Sequence, residues 1–407
     1  MPLAMDRRSE LLRPRQAVIL AGGRGTRLGA ITESIPKPMV PFHGRPFLEY
    51  LIEFLRDQGM KKFLLLLGYL PETVREYFGD GRRLGVEIEY SVTPVEDDTG
   101  TRLRKAIPKI EPTFLLAYCD NYCPVDVEAM WRRFSRGDAE AMVTVYANDD
   151  GYTRDNVVTD DDGFLSVYDK TRTAPGLKGV DIGFLMGRRS ILDGLPEEDC
   201  SFEKTVYPQL IARHALLANV TRHRYYSVGT QARLPETASF LERRPTLLLD
   251  RDGVLNRRMP RAEYVCDWSD WVWLPDVLEA LRRLKEANWR TAVITNQPGI
   301  ARGHLTLEKL HEIHDRMRAE ARAAGGDIGP IYFCPHNWDD GCDCRKPRPG
   351  MLFQAQREMT LDLTRTAFVG DDERDGEAAA AAGCPFHFVT EQRPLAAVVD
   401  TLLLKGG

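Results

Sequence analysis

The chain has 407 residues, of which 43% are hydrophobic and 28% are charged, and its formal net charge is -5. A chain of this length exceeds one ordinary core and predicts two domains or three. The mildly acidic balance gives no reason to expect nucleic acid as a partner.

The opening segment, MPLAMDRRSELLRPRQ, has no apolar run after its basic residues and therefore lacks the pattern of a signal peptide. We interpret residues 1–14 as a flexible tail. The longest strongly apolar run, FLLLLGYL at 63–70, is too short to cross a bilayer and is typical of a buried strand. The sequence thus predicts a cytoplasmic protein with no membrane partner.

Two short apolar runs lead directly into loops rich in Gly or Asp, QAVILAGGRGTRLG near the start and PTLLLDRDGVLN at Pro245. Each is typical of the first strand of a parallel α/β unit, whose chemistry lies at the carboxyl ends of its strands. In both halves, segments with the apolar spacing of a helix then alternate with apolar runs typical of strands. We therefore predict two Rossmann-like α/β domains with parallel sheets. The Arg-Arg-Pro break in TASFLERRPT places their boundary near Arg243, giving domains 15–243 and 244–407.

The glycines of the first loop, Gly22, Gly23 and Gly25, allow backbone amides to approach a polyphosphate with no side chain in the way. Arg27 and Lys37 supply cations for the phosphates and for a departing pyrophosphate. A glycine-rich loop after a strand is weak evidence by itself, since many such loops are only turns.

The longer string is more specific, because G-x-G-T-R at 23–27 is followed by P-K-P at 36–38. It resembles the signature of the sugar-1-phosphate nucleotidyltransferases, and the resemblance covers 15–242. It implies a GT-A-like domain that joins a sugar 1-phosphate to a nucleoside triphosphate with Mg²⁺ and releases pyrophosphate. It also implies nucleotide binding by a run of loop residues, namely Leu20, Ala21, Gly22, Gly23, Gly25 and Thr26.

Three further positions match that family. The resemblance makes Asp120, in FLLAYCDNY, the Mg²⁺ ligand, Lys170 the ligand of the sugar phosphate, and Glu203 a sugar contact. Two positions depart from it: Ser227 stands where a second metal-binding aspartate is expected, and Asp181 stands where asparagine is common. The Ser227 departure leaves open a weakened or regulatory domain.

The base of the nucleotide is less determined. Resemblance to the heptose 1-phosphate guanylyltransferases favours GTP. The segment DDTGTRLRKA at 97–106 replaces a more glycine-rich base-recognition loop, so CTP, ATP and UTP stay open.

The second apolar run ends on a D-x-D pair, Asp250 and Asp252. Asp250 can attack phosphorus and form an aspartyl-phosphate, while Asp252 can protonate the leaving oxygen and later deprotonate water. A D-x-D pair alone is common in solvated loops. Thr295 in AVITNQPGI and Lys346 in CRKPRPG add groups that hold phosphate.

With Asp371 in AFVGDDERDG, these segments occur in the order that resembles the haloacid-dehalogenase phosphatase superfamily. The resemblance implies Mg²⁺ bound by the side chains of Asp250 and Asp371 and by the carbonyl of Asp252. It also makes Asn296 and Arg302 substrate contacts. Nearby Asp372 and Asp375 are equally compatible with a site role and with a capped turn or a solvated acid.

The sequences of these motifs resemble those of the heptose-bisphosphate phosphatases, a capless branch of the superfamily that carries zinc. The related histidinol-phosphate phosphatases share the metal loop, and the short gap in this loop also occurs there. The TNQPGIARG segment favours the sugar enzymes.

The segment FCPHNWDDGCDCRKPRPG holds three of the eight cysteines and a histidine: Cys334, His336, Cys342 and Cys344. Clustered Cys and His in a chain without a secretory signal favour a metal over disulfides. Four ligands fill a tetrahedral zinc shell and predict a structural ion that positions Lys346. A redox-active thiol cluster is the alternative, and His304 and His311 are interpreted as surface or helix-face residues.

Together the halves predict a bifunctional enzyme of nucleotide-activated heptose synthesis. Its phosphatase would remove the C7 phosphate of heptose 1,7-bisphosphate, and its transferase would consume the heptose 1-phosphate. The alternative is a phosphatase alone, for heptose bisphosphate or histidinol phosphate, with a binding or assembly domain before it. Assembly into a homo-oligomer stays open.

Overall fold

The computed structural model describes residues 13–260 and 262–405, so most of the predicted 1–14 tail lies outside the described residues. Two compact units divide the chain between Leu241 and Glu242. The boundary predicted from the Arg-Arg-Pro break lies two residues further along. None of the helices described is long and apolar enough to span a membrane.

The first unit is built on a seven-stranded sheet in the order β12-β8-β11-β6-β1-β4-β5. Its strands and those of the short hairpins beside it are β1 Gln16–Ala21, β2 Pro41–Phe42, β3 Arg45–Pro46, β4 Lys62–Leu67, β5 Glu87–Val92, β6 Thr113–Tyr118, β7 Asn121–Tyr122, β8 Ala141–Tyr146, β9 Val157–Thr159, β10 Leu165–Tyr168, β11 Val180–Arg188, β12 Leu216–Thr221 and β13 Tyr226–Ser227. Its helices are α1 Ile31–Ser34, α2 Phe47–Asp57, α3 Pro71–Phe78, α4 Thr99–Ala106, α5 Val127–Phe134, α6 Phe202–Ala212 and α7 Leu234–Leu241.

The sheet is mixed rather than wholly parallel. β1 pairs in parallel with β4 and β6, whereas β11 runs antiparallel to both β6 and β8. After β8 the chain passes through the β9–β10 hairpin, and β11 then inserts between β8 and β6. All six residues of β1 are buried, as expected of a central strand covered on both faces.

The second unit has a five-stranded, fully parallel sheet in the order β16-β15-β14-β17-β18. Its strands are β14 Thr246–Leu249, β15 Arg290–Asn296, β16 Ile331–Cys334, β17 Ala367–Gly370 and β18 Phe386–Phe388. Its helices are α8 Val277–Glu286, α9 Leu307–Ala323, α10 Gly350–Met359, α11 Glu373–Ala381 and α12 Leu395–Lys405.

Helix α8 illustrates why these segments are helical. Its buried residues, Val277, Ala280, Leu281 and Leu284, fall at the spacing of one helical face, and charged residues occupy the other. They join the core on one side of the sheet, while α10 and α11 contribute to a second core on the other side. The α/β architecture of this unit, with its parallel sheet, was predicted from the alternation of helical and strand-like segments and is confirmed.

Candidate functional sites

The D-x-D pair lies at the carboxyl end of β14, the central strand of the second sheet. The backbone N–H of Asp250 donates to the carbonyl of Val369 on β17 at 2.8 Å, which fixes the residue between the two strands. The chain then turns sharply, since the carbonyl of Arg251 accepts from the N–H groups of Leu255 and Asn256. The Asp250 side chain is consequently buried at the edge where parallel sheets place their chemistry.

Lys346 reaches the same edge from the loop after β16. Its Nζ lies 2.7 Å from Asp250 Oδ1 and 2.6 Å from Asp375 Oδ1, and it donates to the carbonyl of Ile294 at 2.8 Å. Asn296 fixes its backbone, because the Asn296 side chain accepts from the Lys346 N–H and donates to its carbonyl, both at 3.1 Å. Lys346 is therefore fixed both at its backbone and at its side-chain ammonium group.

Three carboxylates, those of Asp250, Asp371 and Asp375, have oxygens within 4.8 Å of one another. Burial raises the pKa of Asp371 to about 6, and burial likewise raises the pKa of Asp250 despite Lys346. Lys346 and Arg258, whose guanidinium lies 3.2 Å from Asp371, bring two positive charges to these three acids and leave one negative charge uncompensated. Asp371 Oδ1 is also buried with no hydrogen-bond partner among the described residues. This donor set fits a divalent cation that prefers oxygen.

Asp252 faces four donors. Arg251 reaches its two oxygens through Nε at 3.1 Å and Nη2 at 3.0 Å, Asn256 Nδ2 lies at 2.9 Å and Gln297 Nε2 at 3.0 Å. These donors lower the pKa of Asp252 although burial alone would raise it. Gln297 also donates to Thr295 Oγ1 at 2.9 Å. Sequence reasoning identified Asp252 and Thr295 but none of the three residues that donate to Asp252.

A cavity of about 530 Å³ opens over this edge. Among the residues predicted for the site, those lining it are Asp250, Asp252, Thr295, Asn296, Arg302 and Lys346. The lining also includes four residues that sequence reasoning missed, Arg258, Tyr264, Arg345 and Arg374. Arg258 pairs with Asp371 at 3.2 Å and with Asp372 at 2.6 Å. Its segment, RRMPRAEY, has no periodicity that would have indicated a site.

The two ambiguous acids take different positions. Asp372 is the N-cap of α11, where its side chain accepts from the N–H of Arg374. Asp375 closes the reciprocal capping interaction and is also within the carboxylate cluster beside Lys346. The helix cap therefore brings Asp375 to the site.

The Cys and His residues of the loop after β16 also converge. Cys334 Sγ lies 3.6 Å from both Cys342 Sγ and His336 Nδ1, and His336 Nδ1 lies 3.2 Å from Cys344 Sγ. Ligands bonded to one tetrahedral ion at about 2.0–2.3 Å are separated by comparable distances. The four residues could thus hold a metal ion. Lys346 follows Cys344 by two residues.

In the first unit, the loop after β1 borders a cavity of about 310 Å³. Among the predicted residues, those lining it are Leu20, Gly22, Gly23, Gly25, Thr26, Arg27, Lys37 and Asp120. Ala21 does not line it, since it is the buried last residue of β1. Gly25 has a φ of 69°, and a Cβ there would come within 3.1 Å of Lys37, so the loop needs glycine at this position.

Lys37 and Asp120 form an ion pair at 2.5 Å in that cavity. Ser227 is adjacent, because the N–H of Val228 donates to the Asp120 carbonyl at 2.9 Å. The Ser227 hydroxyl is buried and accepts from the N–H of Gly229. Asp120 therefore offers a carboxylate to the cavity, which Asp97 and Asp98 also line, and Ser227 offers none.

Arg102 is a buried cation that sequence reasoning did not identify. Its guanidinium donates to the carbonyl of Leu67 at 2.9 Å and to Thr93 Oγ1 at 2.6 Å. A Cβ on Gly22 or on Gly68 would lie within 2.5 Å of it. The guanidinium therefore underlies the glycine-rich loop and explains why Gly22 has no side chain.

The predicted sugar contacts lie together beside the same cavity. Lys170 Nζ is 3.7 Å from Glu203 Oε2, and Glu203 also accepts from Ser201 Oγ at 2.8 Å and from Tyr118. Tyr118 lines the cavity. Burial raises the pKa of nearby Asp181 to about 7, although the N–H of Gly183 donates to it.

Asp181→Asn should stabilise the first unit at alkaline pH. Because the pKa of Asp181 in the folded protein exceeds its ordinary value, ionisation of this buried carboxyl destabilises the fold. The destabilisation grows as the pH rises towards about 7 and is complete above that pH. We expect the midpoint of thermal unfolding to rise by about 2–6 °C at pH 8 and by less at pH 5. Scanning calorimetry at both pH values measures this. Asp162→Asn, on the exposed turn before β10, is the matched control, and equal gains at the two pH values would contradict the assignment.

Comparison with known proteins supports the two-part organisation. Residues 16–160 match the nucleotidyl transferase family, and residues 201–383 match the haloacid dehalogenase-like hydrolase family. The hydrolase match begins before Glu242, so its first residues lie in the first compact unit.

A D-glycero-beta-D-manno-heptose-1,7-bisphosphate 7-phosphatase from Pseudomonas aeruginosa is 47% identical over 141 residues, which are 35% of this chain and 78% of that protein. The chain belongs to the heptose-bisphosphate phosphatase family. The protein of the same name from Bordetella bronchiseptica is 44% identical over 138 residues, 34% of this chain and 76% of that protein. In this chain a domain of the heptose-bisphosphate phosphatase family follows a nucleotidyltransferase domain, as the motifs predicted.

Two solved structures complete the comparison. D,D-heptose 1,7-bisphosphate phosphatase from B. bronchiseptica, complexed with magnesium and phosphate, is 38% identical and covers 40% of this chain and 99% of that chain, with a TM-score of 0.38. HddC from Yersinia pseudotuberculosis, complexed with GMP-PN, is 26% identical and covers 56% of this chain and 99% of that chain, with a TM-score of 0.48.

Proposed function

We propose that this chain is a bifunctional enzyme that hydrolyses the C7 phosphate of heptose 1,7-bisphosphate and transfers a guanylyl group from GTP to the resulting heptose 1-phosphate. One observation carries the proposal: a heptose-bisphosphate phosphatase and a nucleotidyltransferase domain occupy the same chain. Removal of the C7 phosphate leaves the sugar 1-phosphate that a nucleotidyltransferase of this class consumes.

In the hydrolytic reaction, an oxygen of Asp250 attacks phosphorus and the bond from phosphorus to the C7 oxygen breaks. Asp252, whose pKa is lowered in the free protein, takes up a proton as the negative phosphate binds beside it and gives that proton to the leaving oxygen, and an aspartyl-phosphate remains on Asp250. Water then attacks the phosphorus, Asp252 takes its proton, and phosphate departs with Asp250 restored. Lys346, 2.7 Å from Asp250, offsets the negative charge shared by nucleophile and phosphate.

Mg²⁺ fits the carboxylate cluster and would be held by the side chains of Asp250 and Asp371 and by the carbonyl of Asp252. When bound, it supplies the charge compensation that Lys346 and Arg258 leave incomplete among the three acids. The unpaired Asp371 Oδ1 supports this choice of ligand. Thr295, Asn296 and Arg302, which line the cavity, would contact the substrate.

Zinc fits the Cys₃His cluster, whose four ligands would leave no position for water and make the ion structural. The loop that carries it is polar and largely exposed, and it leads directly to Lys346. The ion would therefore hold the phosphate-binding lysine in place without taking part in the chemistry.

Cys342→Ser should lose zinc and destabilise the loop, because metal affinity in such a loop is folding free energy. We expect zinc content to fall by about tenfold and phosphatase turnover to fall with it, since Lys346 loses its support. Zinc is measured by mass spectrometry of metals. Cys266→Ser, in the same unit but outside the cluster, should keep zinc and activity. Normal zinc content in Cys342→Ser would contradict the ligand set.

In the transfer reaction, a phosphate oxygen of the sugar 1-phosphate attacks the α-phosphorus of the nucleotide. The bond from that phosphorus to the bridging oxygen breaks, and pyrophosphate leaves. Arg27 and Lys37 would stabilise the triphosphate and the departing pyrophosphate, while Lys170 holds the sugar phosphate and Glu203 contacts the sugar. Mg²⁺ would be held by Asp120 and supply further charge compensation when bound.

The guanine assignment rests on the resemblance of the sequence to guanylyltransferases, because the 97–106 segment departs from the common base-recognition loop. The experiment is a screen of GTP, CTP, ATP and UTP with heptose 1-phosphate and Mg²⁺, following pyrophosphate release. The proposal expects GTP to be the preferred donor. A preference for another base would correct the donor and keep the reaction class.

A second candidate function is favoured by Ser227. Ser227 replaces the second carboxylate of the predicted metal site, and the first carboxylate, Asp120, is paired with Lys37. On this hypothesis the first unit would bind a nucleotide without turnover and act as a sensor or assembly domain. Mg²⁺-dependent exchange between GTP and labelled pyrophosphate distinguishes the two. Exchange supports the transferase, and nucleotide binding without exchange supports the sensor.

A further inference from the structure

The residue between the two aspartates of the D-x-D pair, Arg251, has the largest fully buried side chain among the residues that the structure describes. It lies beside a cavity open to solvent, yet its side chain is only 1% exposed. A buried guanidinium is costly unless its donors are satisfied, so its partners indicate why it is retained.

Two sides of the guanidinium have different partners. Nε lies 3.1 Å from Oδ2 of Asp252, and Nη2 lies 2.8 Å from Oδ2 and 3.0 Å from Oδ1, so one rigid group contacts both oxygens of the carboxylate. Nη1 lies 3.4 Å from Nε2 of His314 on α9. The ring of Trp271 covers the group at 5.9 Å from its centroid.

His314 can serve as the acceptor for that third donor. It is 4% exposed, and burial, aided by the neighbouring Arg251 charge, lowers its pKa to about 3. The imidazole is therefore neutral at ordinary pH, and its Nε2 can accept from Arg251. Phe333 on β16 contacts the ring edge to face at 6.0 Å and limits its rotation. The imidazole thus fixes the guanidinium, and the guanidinium fixes Asp252.

We propose that Arg251, braced by His314, is a positioning residue that holds the carboxylate plane of Asp252 for proton transfer in the phosphatase reaction. This inference rests on the proposed function, in which Asp252 exchanges the proton. Asn256 donates to Oδ1 and Gln297 to Oδ2 from two separate side chains, whereas the guanidinium contacts both oxygens from one rigid plane.

A double-mutant cycle on heptose 1,7-bisphosphate hydrolysis by the full chain tests this. Arg251→Lys replaces two fixed donors by one mobile ammonium, and we expect kcat to fall about tenfold with KM changed less than about threefold. In an Asp252→Asn background the same change should cost less than about twofold, because there is no proton transfer left to position.

His314 provides a matched pair of variants. His314→Leu removes the acceptor, and we expect a loss in kcat of about threefold to tenfold. His314→Gln offers an amide oxygen and should restore most of the rate. Zinc content and thermal unfolding, measured on each variant, identify any that fail to fold; Arg251→Lys keeps the charge and is the least disruptive.

The outcomes are distinct. If Asp252→Asn keeps normal hydrolysis, the proposed acid–base role fails. If Asp252→Asn is impaired but Arg251→Lys has wild-type kcat, or costs as much in the Asp252→Asn background as in the wild type, the positioning inference is overturned. Loss in the single variant and its disappearance in the double variant support it.

Discussion

Asp250→Asn is expected to abolish hydrolysis of heptose 1,7-bisphosphate, lowering kcat by about 10³-fold or more. An amide cannot form the acyl-phosphate, and the change also removes the anion that Lys346 Nζ contacts at 2.7 Å. Release of inorganic phosphate at saturating Mg²⁺ measures the effect.

The variant should keep its zinc and its transferase reaction, because Asp250 is not in the Cys₃His cluster or the first unit. Asp400→Asn is the matched control: that carboxylate pairs with Arg283 on the surface of the same unit and should not affect turnover. Turnover by Asp250→Asn within tenfold of the wild type would contradict the nucleophile assignment.

Lys37→Ala should reduce exchange between GTP and pyrophosphate by about 10²-fold to 10³-fold. The ammonium is buried in the cavity of the glycine-rich loop, and the ion pair with Asp120 places it beside the predicted metal ligand. Without it the triphosphate loses a cation, and Asp120 loses its partner in the free protein. The rate of label exchange at fixed Mg²⁺ measures the loss.

Lys62→Ala is the control for charge, because Lys62 lies half exposed on β4 and pairs with Glu111 on the surface. Exchange should be unchanged in it, and phosphatase turnover should be unchanged in both variants. Equal exchange in Lys37→Ala and Lys62→Ala would exclude a catalytic role for Lys37.

Elements with a strong local pattern could be predicted from the sequence. The buried strands β1 and β14 are short apolar runs that end in Gly-rich or Asp-rich loops, and α8 has an unbroken apolar face. Because parallel strands bring their carboxyl ends to one edge, the D-x-D pair and Thr295 could be placed together before the structure was known. The convergence of Cys334 and Cys344 could be predicted because the two residues are close in the sequence.

Groups that act through tertiary contacts could not be predicted. Asp375 reaches the carboxylate cluster through the cap of α11, and Arg258 comes from a loop without periodicity. Arg102 and Gly22 are 80 residues apart and meet only in the folded domain. The antiparallel placement of β11 likewise depends on the path of the chain after β8, which no local pattern records.

The central claim is that two reactions at phosphorus occur in sequence on one chain. Its most direct test supplies heptose 1,7-bisphosphate, GTP and Mg²⁺ to the full-length protein and follows phosphate, pyrophosphate and sugar nucleotide together by ³¹P NMR. We predict equal amounts of phosphate and GDP-heptose, with pyrophosphate appearing only after hydrolysis has begun. Phosphate release with no sugar nucleotide from any of the four nucleoside triphosphates would contradict the claim.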